Sequence, residues 1–269
     1  MKCLILAAGY ATRLYPLTEN FPKPLLEVRG KAIIDWLLED IESAGAAGRA
    51  VDADRAVFAS RAVDGYVVIS NHKYARHFED WAAASPYDVS VVDDGTTTNE
   101  GRLGAVRDIW FAVENLGIQG DILVVAGDNL LDFSLASFIH YAQGKGASCV
   151  MRYYEKNVER LKRCGVAQVD GDDLIVDMVE KPAAPASHWA TPPFYYLTGG
   201  DAHAIPSAIA DGCGVDAPGS YIEWLCKRSP VYAMEMPGSR YDIGNLESYE
   251  KIKAEYKGII RSKASYDSK

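Results

Sequence analysis

A chain of 269 residues is long enough for one large domain or two small ones with a substantial core. Hydrophobic residues at 48% and charged residues at 24% describe an ordinary soluble globular protein. The net charge of −9 argues against a nucleic-acid partner, which needs a broad basic surface, yet leaves room for a small anionic substrate held by a few local cations.

In chain order, Cys3 to Ala8 is an unbroken small-and-apolar run that suits a strand buried on both faces of a parallel sheet. Gly9 follows at a turn whose backbone N–H groups have no strand partner, a natural cradle for a phosphate or a base edge. Arg13 and Lys23 then set two fixed cations on a segment stiffened by Pro16, Pro22 and Pro24. Singly, these features read as a strand, a turn and a solvated loop; together they place positive charge against a polyphosphate.

Leu25 to Val28 reads as a short extended piece, and Ile33, Ile34, Leu37, Leu38 and Ile41 repeat at helical spacing. From Gly45 to Gly65 the composition shifts to Ala, Asp and Arg, an insertion expected as a solvated loop or short helix. Strands are predicted at Tyr66–Ser70, Val89–Val92 and Ile122–Ala126, alternating with helices at Tyr74–Ala84 and about Leu103–Leu116. This alternation predicts an α/β fold with a Rossmann-like, mixed but mostly parallel sheet and helices on both faces. The second half carries strands at Ser148–Tyr154, Gly165–Val169, Leu174–Val179 and Phe194–Leu197, with a hairpin turn at Asp170-Gly171-Asp172 and so an antiparallel subregion. Helices near Ala202–Ala210, Tyr221–Cys226 and Leu246–Tyr256 precede a polar tail, 261–269.

Five scattered cysteines with no C-x-x-C pair predict reduced, mostly buried thiols. The apolar run after Lys2 is too short for a secretory signal and no run reaches the roughly 20 residues of a membrane span, so a cytoplasmic protein without a membrane partner is expected. The five histidines show no metal-ligand spacing, and no Ser-His-Asp or Cys-His grouping can be argued.

In open parallel sheets the ligand lies beyond the carboxyl ends of the strands. Asp128, in Gly127-Asp128-Asn129, ends the fourth apolar strand, and Asp242, in Tyr241-Asp242-Ile243-Gly244-Asn245, precedes the last helix. Either alone is a common turn former; together at converging strand ends they would make a hard-cation site for Mg²⁺.

The run Gly9-Tyr10-Ala11-Thr12-Arg13-Leu14-Tyr15-Pro16-Leu17-Thr18, followed by Pro22-Lys23-Pro24, resembles the Gly-x-Gly-Thr-Arg-x-x-Pro-x-Thr and Pro-Lys-Pro signature of the sugar-1-phosphate nucleotidyltransferases, such as the short glucose-1-phosphate thymidylyl- and uridylyltransferases. It departs at Ala11, where that family has glycine. Gly127-Asp128-Asn129 and Tyr241-Asp242-Ile243-Gly244-Asn245 resemble its two metal-binding motifs, and Glu180-Lys181-Pro182 its Glu-Lys-Pro. The resemblance covers nearly the whole chain and implies one domain over 1–260, with a nucleotide-binding half (1–130) and a sugar-phosphate-binding half (131–260).

What it implies chemically is a nucleoside triphosphate, dTTP or UTP favoured, joined to a sugar 1-phosphate with release of pyrophosphate. Arg13, Lys23 and Lys181 would be the catalytic cations, and Asp128 and Asp242 the Mg²⁺ ligands. Leu6, Ala8, Gly9, Ala11, Thr12, Leu103, Gly104 and Asp94 would contact the nucleotide, Asp93 or Asp94 reading the base edge or merely opening a turn. Gly165, Glu180 and Lys181 would contact the sugar phosphate. The Thr/Asn-rich lead-in Thr96–Asn99 and the Pro192-Pro193 segment depart from the pattern and motivate a cytidylyltransferase acting on a phosphorylated alcohol or other sugar phosphate as the alternative. A second alternative is a non-catalytic, nucleotide-binding regulatory subunit, which would be expected to lose some of the five charged residues present here. The resemblance leaves homo-oligomeric assembly open, since family members are often dimers or tetramers.

Overall fold

The structure, a computed structural model, describes residues 1–47 and 63–259. Most of the Ala/Asp/Arg-rich insertion and the polar tail lie outside the described residues. In the first half, β1 (Lys2–Leu6) leads through two single 3₁₀ turns (Thr12–Leu14 and Lys23–Leu25) to a small ribbon, β2 (Glu27–Val28) and β3 (Lys31–Ala32). There follow α1 (Ile33–Ala47), β4 (Tyr66–Ser70), α2 (His72–Ala84), β5 (Val89–Asp93), α3 (Ala105–Asn115) and β6 (Ile122–Ala126). The second half contains β7 (Asn129–Leu131), α4 (Ala136–Lys145), β8 (Ser148–Tyr154), α5 (Val158–Leu161), β9 (Gly165–Val169), β10 (Ile175–Glu180), β11 (Trp189–Thr191) and β12 (Phe194–Leu197). It closes with α6 (Gly199–His203), α7 (Ile205–Ala210), α8 (Gly219–Leu225), β13 (Val231–Glu235), β14 (Arg240–Asp242) and α9 (Leu246–Glu255).

One large sheet runs in the order β10-β9-β11-β8-β12-β6-β1-β4-β5. β5, β4, β1 and β6 are mutually parallel, so their carboxyl ends share one edge of the sheet. β12 then reverses the direction, and β11, β9 and β10 continue as an antiparallel extension. β13 runs parallel along the other side of β8. The predicted α/β mixed sheet with an antiparallel subregion is the architecture found.

Alternation along the strands explains the layers. Cys3 and Ile5 of β1 and Val68 of β4 point to a core shared with α1, α2 and α4, while Leu4, Val67 and Ile69 point to one shared with α3, α6, α7 and α8. Each fully buried Leu, Ile or Val contributes roughly 1.5–3 kcal/mol, which is why these runs sit at the centre of the sheet. Along α3, Val106, Ile109 and Val113 make the apolar stripe that packs on the sheet. A third, smaller core gathers Leu14, Leu26, Val28, Ile33, Leu130, Ile243, Tyr249, Ile252 and Tyr256. It binds the first loop, the β2–β3 ribbon, the β7–β14 ribbon and α9 into one unit.

The predicted strands and helices recur within a few residues of their expected bounds. Unread in the sequence were α4, β11, β13 and the β7–β14 ribbon, all short or weakly patterned. α4 buries only Phe138, Ile139 and Ala142 and has no side-chain N-cap. Of the five cysteines, only Cys3 and Cys149 are buried; the other three are half-exposed.

Candidate active site

The loop after β1 is shaped by hydrogen bonds from far along the chain. The Ala7 N–H donates to the Ile69 carbonyl at 2.9 Å, and the Gly127 N–H to the Leu6 carbonyl at 3.0 Å, so the loop leaves the sheet beside the ends of β4 and β6. Asn71, fully buried, donates from Nδ2 to the Ala8 carbonyl at 2.8 Å while its Oδ1 accepts the Tyr74 N–H and caps α2. Ala11 takes the left-handed conformation (φ 46, ψ 39) that glycine would adopt freely. Its carbonyl accepts from the Leu14 N–H at 2.9 Å and from Thr18 Oγ1 at 2.8 Å, and the Tyr74 hydroxyl holds the Thr18 carbonyl at 2.6 Å. The left-handed turn is thus made with alanine and locked by Thr18.

That loop, β6 and the segment after β14 enclose a cavity of about 320 Å³ lined by Leu6, Gly9, Arg13, Lys23, Asp128 and Gly244, among others. Lys23 is only 7% exposed, and its Nζ lies 2.5 Å from Asp128 Oδ2 and 4.0 Å from Asp242 Oδ1. Both carboxylates therefore converge on one cation, although 105 residues separate Lys23 from Asp128. The antiparallel register Asp242↔Asn129 in the β14–β7 ribbon is what brings them together. Burial alone would push Asp128 up, but the field and hydrogen bond of Lys23, with the field of Arg240, hold its carboxyl below the usual value. Arg13 is exposed at the cavity rim and has no ion-pair partner among the described residues.

A second array lies across the antiparallel extension. A Cβ on Gly165 would collide with Thr191 Oγ1 and Met178 Cε and would lie 2.9 Å from Glu180 Oε2, so only glycine leaves this niche open. Burial pushes Glu180 up to about 7, with Lys181 opposing and Glu223 reinforcing the rise. Lys181 is itself left-handed (φ 51), and its N–H donates to the Cys164 carbonyl at 3.1 Å. Its side chain lines a separate depression of about 560 Å³ with Asp216, Ser220 and Lys227, outside the cavity that holds Lys23.

Arg240 joins the two arrays. It donates to Asn129 Oδ1 at 2.6 Å; burial pushes Tyr153, Cys164 and Tyr195 up, Arg240's field opposes that rise as it helps hold Asp128 down, and Glu180 adds to the rise at Cys164 and Tyr195. Arg240 went unread in the sequence, although it lies two residues from Asp242 on the same face of a strand. Asn71 and Thr191 carried no local signal, and Thr18 stood in the quoted run without a role of its own.

At the opposite end, Asp93 is occupied: it accepts the Gly95 N–H at 2.8 Å and pairs with His72 Nδ1 at 2.6 Å. Asp94 Oδ1 accepts both the N–H and the hydroxyl of Thr96 at 2.7 Å, forming the turn that was the alternative to a base contact. Gly104 (φ 92) packs on the backbone of Val215 and Asp216, and the first two amides of α3, on Ala105 and Val106, donate to the Asp216 and Val215 carbonyls. Thr12 is exposed on its 3₁₀ turn, and Leu103 is half-buried just before Gly104.

With two carboxylates, a lysine and a free arginine around one cavity, comparison with known proteins is decisive. A profile of the nucleotidyl transferase family matches residues 2–258. The chain belongs to the nucleotidyl transferase family. As a member, it is 24% identical over 260 residues to the glucose-1-phosphate adenylyltransferase of Fervidobacterium nodosum, covering 91% of this chain and 59% of that protein. It is 25% identical over 255 residues to the UTP–glucose-1-phosphate uridylyltransferase of Haloferax volcanii, covering 93% of this chain and 94% of that protein. This nucleotidyl transferase thus spans about three fifths of the first relative and nearly all of the second. Among solved structures, its fold matches UDP-glucose pyrophosphorylase complexed with UDP-glucose, with a TM-score of 0.75, 23% identity and coverage of 95% of this chain and 97% of that one.

Proposed function

We propose that the protein joins a nucleoside triphosphate to a sugar 1-phosphate, giving an NDP-sugar and pyrophosphate. The observation that carries this reading is the convergence of Arg13, Lys23, Asp128 and Asp242 around one cavity at the carboxyl edge of the parallel strands. An oxygen of the sugar phosphate attacks the α-phosphorus; the new P–O bond forms as the bond to the β-phosphate bridging oxygen breaks, and pyrophosphate carries the electron pair away. No protein nucleophile is needed, so positioning and charge stabilisation carry catalysis.

Arg13 holds the β- and γ-phosphates and stabilises the leaving group. Lys23 neutralises the α-phosphate, exchanging part of its contact with Asp128 for the substrate. Gly165 and Glu180 receive the sugar, and Lys181 aligns its phosphate from the neighbouring depression, which asks its long side chain to swing toward Arg240. Among the described residues Asp128 and Asp242 find no third His, Cys, Asp or Glu beside them. Two carboxylates suit Mg²⁺, a hard cation that needs few protein ligands, and Asp128 and Asp242 would hold it. When bound there, Mg²⁺ screens the mutual repulsion of the two phosphorylated substrates. The base is set further out, at the Asp94 end of the loop.

The test is pyrophosphate release with Mg²⁺ from five nucleotides (dTTP, UTP, CTP, ATP, GTP) against glucose 1-phosphate and a small set of phosphorylated sugars and alcohols. Release that needs both substrates is expected. A folded protein that binds nucleotide but releases nothing from any pair would favour a regulatory, non-catalytic member of the fold.

A further inference from the structure

The carboxylates of the cavity are already engaged by groups of the protein itself. Asp128 Oδ2 accepts from Lys23 Nζ at 2.5 Å and Asp128 Oδ1 from Asn129 Nδ2 at 3.0 Å, so each oxygen has a donor. Asp242 Oδ1 lies 4.0 Å from the same ammonium. Asn129 is fixed in turn by Arg240, which donates to its Oδ1. Asp128 is half-buried and Asp242 exposed, whereas Lys23 is buried. The acceptors are thus reachable from outside, and the ammonium is the enclosed member of the group.

Lys23 cannot leave by a shift of its backbone. It opens a 3₁₀ turn between Pro22 and Pro24, closed by the Leu25 N–H on the Pro22 carbonyl at 3.1 Å and the Leu26 N–H on the Lys23 carbonyl at 3.0 Å. Leu25 and Leu26 anchor that turn in two different cores. Only the flexible four-carbon stem can carry the ammonium elsewhere. While it stays, two carboxylates and one ammonium sum to a single negative charge, half of what the pair alone would offer a divalent cation. A hard dication needs acceptor oxygens, and a like charge a few ångströms away repels it.

We infer that Lys23 is a stand-in for the divalent cation, holding the Asp128–Asp242 pair closed to metal until a nucleotide phosphate draws its ammonium away. This deepens the nucleotidyl-transfer reading of the site and rests on it for the identity of the phosphate. The nucleotide-free protein then binds a divalent cation weakly. Metal and nucleotide favour each other's binding by the same factor, with the lysine as the element both must move. The charge of Lys23 is not enough by itself to give this behaviour; its contact with the carboxylates is what closes the pair. Arg13 supplies the comparison, since it is a cation on the rim of the same cavity with no ion-pair partner among the described residues.

The test is Mn²⁺ binding to the full chain without nucleotide, read by loss of the free-ion electron paramagnetic resonance signal, with Mg²⁺ as competitor. Four proteins are compared: native, Lys23→Met, Arg13→Met and the double variant Lys23→Met with Asp128→Asn. Lys23→Met keeps the length of the stem without its charge and is expected to bind the ion about tenfold or more tighter than the native protein. Arg13→Met frees no carboxylate and is expected to gain less than about threefold, as a screened charge at the rim should. The double variant is expected to lose the gain. Lys23→Met binding no tighter than native overturns the inference, as does an equal gain in Arg13→Met or a gain that survives Asp128→Asn. Native binding below about 10 μM overturns it whatever the variants do. Where Lys23→Met folds poorly, urea melts with and without Mn²⁺ take over: the ion is expected to stabilise the variant and not the native protein, and an equal effect on both overturns the inference. Pyrophosphate release by a native protein whose Lys23→Met form gains no affinity removes this inference alone. A gain of affinity without release from any substrate pair removes the transfer reading and leaves the closure by Lys23 standing.

Discussion

The two ends of the nucleotide loop hold their carboxylates in opposite states. At the phosphate end, Asp128 and Asp242 share a buried lysine, and Asp128 is held ionised. Beyond the end of β5, Asp94 and Asp108 have no ion-pair partner among the described residues, and burial with Asp94's charge pushes Asp108 up to about 7. The first arrangement is complete within the protein, so a substrate or metal enters it by exchange. The second leaves two buried oxygens without a hydrogen-bond partner.

The largest expected effect lies at the balanced end. Lys23→Ala and Asp128→Asn should each lower kcat roughly a hundredfold to a thousandfold with the fold intact, read by pyrophosphate release and circular dichroism. Near-normal turnover in either would remove the distinction between the ends. Next is the strap behind the loop. Asn71→Ala loses both the donor to Ala8 and the cap of α2, costing roughly 1–3 kcal/mol of stability in urea melts. Because the loop is then less well placed, the nucleotide KM should rise about tenfold, more than kcat falls.

The unbalanced end makes a prediction in pH. Asp108 releases its proton near 3.8 in the unfolded chain and near 7 when folded, so between those values the folded state holds the extra proton. Its contribution to stability therefore falls as pH rises from about 4 to about 7 and stays low above. Asp108→Asn has no proton to lose and should be more stable than the native protein by roughly 1–3 kcal/mol at pH 8. The gain should shrink toward pH 5, which urea melts at the two pH values would reveal; a gain independent of pH would mean that Asp108 is not a buried acid. The smallest effect is expected at Ala11→Gly. Relief of the left-handed strain, offset by glycine's looser unfolded chain, should change stability by less than about 1 kcal/mol and KM by less than about twofold.

What could be read from the sequence was what is local. The run into Gly9, the Pro22-Lys23-Pro24 segment, the aspartates after apolar strands and the Glu180-Lys181 pair stand in contiguous motifs, and the strands they end announce themselves by composition. What could not be read depends on pairs distant in the chain: Asn71 with Ala8 across 63 residues, and Arg240 with Asn129 across 111. Asp108 was hidden for another reason. An aspartate in the first turn of a helix is the ordinary complement to its dipole, and only the burial of its unpartnered oxygen sets it apart. Lys181 sits in the motif expected of it, yet its position on the neighbouring depression follows from a left-handed backbone that no periodicity encodes.

The last helix has a mechanical consequence. The Tyr256 hydroxyl donates to the Leu131 carbonyl at 2.7 Å, and its own carbonyl accepts from Arg29 at 3.2 Å. Tyr249 reaches the Glu27 carbonyl at 2.8 Å. The segment carrying Asp242 is therefore laced to the stretch just after Lys23 and to the strand just after Asp128. These pieces share one small apolar core, with Leu14, Leu26, Leu130, Ile243 and Tyr256 packed together. A chain cut just before Leu246 would keep every charged side chain named above and the β7–β14 pairing, and lose the Tyr249 and Tyr256 hydrogen bonds that back it from behind.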